Sequence, residues 1–141
     1  MRLSEAANEV VRLAEAIHTY WDRELPKRHP HYPLIRSGED SGPPAPEEGR
    51  LQDFLKSLPP NQVYALVLLM YVGRGDEGID HLAERYQTVK EAFETPEHAI
   101  AQMTSKRTLD EYLTDGLAEI KKGGIDMDRI TWEAARKPTH S

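Results

Sequence analysis

LPPNQVYALVLLMYVGRGD, residues 58–76, is the stretch whose reading decides the fold. Every residue from Val63 to Val72 is apolar or aromatic. Such a run suits either a buried strand or a buried helix, because periodicity cannot separate the two when both faces are apolar. Ala65, Leu66, Leu68, Leu69 and Met70 favour the helix, and so do the prolines ahead of it. Pro60 fits a first helical turn, where its missing amide costs nothing. A helix apolar on all sides has to be surrounded. The run therefore predicts a central helix over about Asn61 to Val72, with Val63, Leu66, Val67 and Met70 at the middle of a bundle. Gly73-Arg74-Gly75-Asp76 then reads as its C-terminus: Gly73 left-handed, Gly75 completing the turn, and Asp76 or Asp80 capping the next helix.

Outward from this helix, apolar residues recur at steps of three and four, the mark of one helical face. Leu51, Phe54, Leu55 and Leu58 predict a short helix starting near Arg50 and ended by Pro59. Ile79, Leu82, Tyr86, Val89 and Phe93 predict another. Thr95-Pro96 caps a short helix carrying Ala99, Ile100 and Met103. Thr108 and Glu111 have the spacing of a capping box ahead of Leu109, Leu113, Leu117 and Ile120, a helix that stops at Gly123-Gly124. Met127, Ile130 and Ala134 mark a last helix, about Met127 to Arg136.

The N-terminal stripe of Leu3, Ala7, Val10, Ala14, Ile17 and Trp21 predicts an amphipathic helix with Ser4 as N-cap. Pro26 should end it near Leu25, since the residue before proline avoids the helical region. Residues 26–49 are rich in Pro, Gly and Ser, without periodicity, and read as a linker or arm. The expected organisation is thus an N-terminal helix (1–25), an arm (26–49) and a helical domain (50–141). The fold class is all-α, a small bundle of about six to seven helices.

The segment Leu58 to Gly124 resembles a bacterial family known as domain of unknown function 3775. The likeness is carried by LPPNQVYALVLLMYVGRGD and, after an intervening helix, by LDEYLTDGLAEI. The family's glycine-arginine-glycine-aspartate falls on Gly73, Arg74, Gly75 and Asp76. Its tyrosine-leucine and glycine-leucine helix falls on Tyr112, Leu113, Gly116 and Leu117. Two positions depart from the pattern: Pro60-Asn61 stand where acids usually open the helix, and Tyr71 stands where tryptophan is expected. The resemblance implies a helical fold and assigns no activity.

Composition narrows the function classes. The chain has 141 residues, 30% of them charged, and a formal net charge of −6. That surplus of acid disfavours non-specific contact with nucleic acid and anionic membrane. The absence of cysteine excludes disulfides and thiolate metal sites. Acids at Glu5, Glu9 and Glu15 interrupt what a signal peptide would need as an apolar core. No run approaches the roughly 20 apolar residues of a bilayer span, so a cytoplasmic location is expected.

Gly73, Arg74, Gly75 and Asp76 form the first candidate site, either structural punctuation or an anion or partner hook built on Arg74. Asp76, Asp80, His81 and Glu84 form a second, an acidic face with one imidazole that suits a metal ion. Acids in a first turn are also expected for the helix dipole alone. His29 and His31 alternate like ligands but lie in the arm with no third partner. The arm is locally basic (Arg23, Lys27, Arg28 and Arg36 against Glu24), a feature of anionic partners. No phosphate loop, His-Glu-x-x-His or Gly-x-Ser-x-Gly occurs, and no cofactor is indicated. The sequence thus favours a non-enzymatic protein-interaction or self-association module, with a homodimer through Leu3, Val10, Ile17 and Trp21 as one form. The alternatives are a small metal-dependent enzyme on the Asp76–Glu84 face and, more weakly, nucleic-acid association through the arm.

Overall fold

A computed structural model of the protein describes residues 1–28 and 45–129. Among them are six helices and no strand: α1 (Leu3–Arg28), α2 (Pro46–Ser57), α3 (Pro60–Arg74), α4 (Leu82–Ala92), α5 (Pro96–Thr104) and α6 (Leu109–Lys122). None is long and apolar enough to cross a membrane. The expected all-α bundle is what forms. The expected arm positions 29–44, with His29, His31 and Arg36, lie outside the described residues. So does most of the expected last helix, of which Met127 to Arg129 form a turn.

α3 is the hub. Val63, Leu66, Val67, Leu68, Leu69 and Met70 are all essentially sealed from solvent, and α1, α4, α5 and α6 pack on the helix from different sides. Buried Tyr64 and Tyr86 keep their hydroxyls satisfied, donating to the carbonyls of Phe93 and Asn61. This is the usual condition for burying a tyrosine.

The crossing of α3 and α6 is made by glycine. A Cβ on Gly73 would lie 1.7 Å from the carbonyl oxygen of Tyr112, and one on Gly116 would lie 2.2 Å from that of Leu69. Gly73 is therefore not the left-handed cap expected of it. It stays within α3, and the cap is Gly75, at φ 87°. The amides of Gly75 and Asp76 turn back to the carbonyls of Val72 and Tyr71, closing a Schellman motif. α6 ends the same way, with Gly124 left-handed and the amide of Ile125 donating to Ile120.

Several boundaries differ from the sequence reading. α1 runs through Pro26 to Arg28; so near the end, proline removes a single bond, that to the Asp22 carbonyl. α2 starts at Pro46 rather than Arg50, with proline in the first turn and Glu47 and Glu48 behind it. The Glu48 carboxylate accepts from the Ala45 amide. α4 starts at Leu82 after His81, at φ 59°, and neither Asp76 nor Asp80 caps it. Thr108 precedes α6 without a side-chain cap bond, so the expected capping box does not form.

The N-terminal stripe is covered from within the chain. Leu3, Ala6, Ala7, Val10, Leu13 and Ala14 belong to the common core, with α1 packed on α2 and α6. Leu3 and Val10 are thus unavailable as a homodimer seam. Ser4 lies in the first turn rather than at the N-cap, and Asp128 receives both its amide (2.9 Å) and its hydroxyl (2.5 Å).

Candidate functional site

The Gly73-Arg74-Gly75-Asp76 turn presents Arg74 over two tyrosines. Its guanidinium carbon lies 5.9 Å from the Tyr71 ring centroid and 5.6 Å from that of Tyr112, within cation–π range. Nε pairs with Asp76 at 3.2 Å. A depression of about 410 Å³ beside the turn is rimmed by Glu77, Asp115 and Glu119.

The Asp76, Asp80, His81, Glu84 set does not converge. Asp76 faces Arg74, Glu77 pairs with Arg85, and His81 stands 3.7 Å from Glu84 with both side chains largely exposed. The helical face that would have aligned these residues is absent, because residues 76–81 precede the helix.

Convergence occurs elsewhere, where α1 crosses the start of α6. His18 Nδ1 is 3.2 Å from each Asp110 carboxylate oxygen and 3.8 Å from Glu111 Oε2. His18 Nε2 is 3.3 Å from Asp22 Oδ2, and Asp22 reaches Arg107 at 4.0 Å. Asp110 is the one buried charged residue among those described. Its carboxylate, as hydrogen-bond partner and as a neighbouring charge, raises the His18 pKa above the ordinary histidine value. Partial burial of the ring opposes the shift, and the charges of Asp22 and Glu111 add to it.

This charged chain ends beside a groove of about 360 Å³. Ile17 and Trp21 of α1, Leu51 of α2, and Leu109 of α6 supply its apolar wall. Gln52, Thr104, Lys106 and Arg107 supply polar groups. The Trp21 indole donates to Glu48 at 2.7 Å, which fixes the ring as a wall and satisfies that carboxylate. Gln52 donates to Thr104 at 3.3 Å.

None of the charged chain stood out in the sequence. The signal was a titratable residue beside each apolar stripe: His18 next to Ile17, and Asp110 next to Leu109. Asp110 and Glu111 looked like the usual acids of a first turn. Ile17 and Trp21 were expected at a surface between chains, and line the groove instead.

A family model described as "Protein of unknown function (DUF3775)" matches residues 48–121. That segment holds α3 to α6 and nearly all of α2, but not α1. No curated protein and no solved structure matches the chain.

Proposed function

We propose, for a chain that belongs to the DUF3775 family of proteins of unknown function, a non-enzymatic module that binds a short segment of a partner protein. The α1–α2–α6 groove is its recognition site. The observation that carries this reading is the composition of the groove: a fixed indole and aliphatic wall, with Lys106 and Arg107 beside it. Concave sites that join an apolar wall to a few placed polar groups are where ligands bind. The cations stand out on an acidic chain and suit a segment pairing an aromatic or aliphatic side chain with a carboxylate. Arg107 is shared with Asp22, so Lys106 is the simpler contact. Self-association through Leu3 and Val10 is not part of this reading, because both are buried within the chain. A cytosolic setting belongs to it, in keeping with the absence of cysteine.

Peptide display against the full chain tests the reading. Selected sequences should pair an apolar residue with Asp or Glu. They should shift Trp21 emission in a Trp132→Phe background and bind at least about tenfold more weakly to Lys106→Glu. Selection of nothing, or of peptides indifferent to Lys106→Glu and silent in Trp21 emission, would reject it.

A further inference from the structure

The His18 cluster is unusual in its spacing. A charge-assisted bond from an imidazolium to a carboxylate has a length of about 2.7–2.9 Å. Here Nδ1 lies farther from Asp110, at 3.2 Å from one oxygen and 3.2 Å from the other. It is 3.8 Å from Glu111, and one ligand atom from each of the three residues fits within 4.8 Å of the others. Nitrogen and oxygen atoms bound tetrahedrally to one ion, at about 2.0–2.1 Å each, stand about 3.3 Å apart. The Nδ1–Asp110 separation is that of two ligands on one ion, and rotation of the exposed Glu111 side chain would bring its oxygen in from 3.8 Å to complete the set.

The other ring nitrogen supplies a second, independent indication. Metal-bound imidazoles commonly donate their remaining N–H to a carboxylate, which fixes the tautomer and the ring plane. His18 Nε2 has that partner in Asp22, one turn further along α1 at 3.3 Å. When an ion displaces the Nδ1 proton, the remaining ring proton is held at Nε2 by Asp22, and the Nδ1 lone pair points towards Asp110 and Glu111. Charge balance runs the same way. Three carboxylates surround one imidazole, and Arg107 pairs with Asp22 rather than with Asp110 or Glu111 in that set.

We infer that His18, Asp110 and Glu111 form a binding site for a divalent transition-metal ion of the Zn²⁺ type, with Asp22 as the positioning residue. One nitrogen and two oxygens suit such ions, whereas Ca²⁺ takes six to eight oxygens. Water would fill the remaining position. The ligands come from α1 and α6, so the ion would fasten a helix outside the family-matched segment to one inside it. The inference does not depend on the groove: peptide binding and metal binding can each fail without the other.

Equilibrium dialysis of the untagged full chain against Zn²⁺ should give one bound ion per chain, and Co²⁺ in its place should give the visible absorption of a four-coordinate site. Glu111→Gln and His18→Gln should each weaken Zn²⁺ binding at least tenfold, and Asp22→Asn by about 10–100-fold. The double substitution His29→Ala, His31→Ala should leave it unchanged. The Glu111 side chain is 60% exposed, so Glu111→Gln keeps the fold, checked by circular dichroism, and decides the matter should His18→Gln fail to fold. The inference is overturned by substoichiometric Zn²⁺, by binding that survives Glu111→Gln unchanged, or by binding lost with the arm histidines.

Discussion

At the scale of single residues, two glycines divide the work at the end of α3: Gly75 takes the left-handed cap, and Gly73 leaves room for the backbone of α6. Gly73-Arg74-Gly75-Asp76 was legible as a helix terminus. Its two glycines are indistinguishable in one sequence, because the reason for Gly73 lies in the backbone of Tyr112, on another helix. The start of α1 carries the same lesson. Ser4 is a good N-cap type, yet it is capped itself, by a carboxylate 124 positions away. Its hydroxyl and amide bonds hold the Asp128 carboxyl below the usual carboxylate range. A depressed folded pKa means stability that is present above the unfolded value, near 4, and lost as pH falls through the folded value. Asp128→Ala should therefore lower stability at pH 7 by less than about 1 kcal/mol, the site being exposed. The gap from the parent chain should close towards pH 2–3, as urea midpoints at the two pH values would show. A constant gap across that range would mean that Asp128 acts through packing rather than charge.

At the scale of elements, apolar periodicity located five of the six described helices, because each buries one stripe; α3 buries every side and was legible from its residue types and the prolines ahead of it. Boundaries were less legible. Pro26 and Pro46 look alike in a proline-rich stretch, but one sits in a last turn and the other in a first turn. The contact between α3 and α6 was invisible, since it is made of absent side chains. It nevertheless gives a physical reason for the glycines at positions 73 and 116: their helices approach until backbone meets backbone. Gly116→Ala separates two opposed effects. In an exposed helix this change stabilises by about 1 kcal/mol. Here the new methyl meets the Leu69 carbonyl, which cannot move without moving α3. A net loss of about 3 kcal/mol is expected, read as a drop in denaturation midpoint at unchanged helix content. A stabilised Gly116→Ala would show that the helices can part without cost.

At the scale of the whole molecule, the sequence suggested an N-terminal helix tethered to a self-sufficient domain. The stripe on α1 was correctly legible, and so was its need for cover. What covers it was not, because α1 meets α6 about ninety positions later and the family likeness begins beyond α1. The same distance hid the His18–Asp110 contact, the feature on which the metal inference rests. In the folded chain, the family-matched segment and α1 share one core. α1 contributes Leu3, Ala6, Ala7, Val10, Leu13 and Ala14 to it. Removing α1 would expose the apolar side chains of α2 and α6 that it covers, and would leave Asp110 without its histidine. Burial of one such aliphatic side chain contributes about 1.5–3 kcal/mol, and a domain of this size is stable by only about 5–15 kcal/mol. Several such losses at once exceed the margin. A fragment of residues 45–141 should therefore lack a cooperative thermal transition and bind a hydrophobic dye, while the full chain melts in one step. Adding a peptide of residues 1–28 should restore part of the transition, because the missing cover is that helix. A fragment that melted cooperatively by itself would return α1 to the status of an appendage and leave its stripe to be explained by another partner.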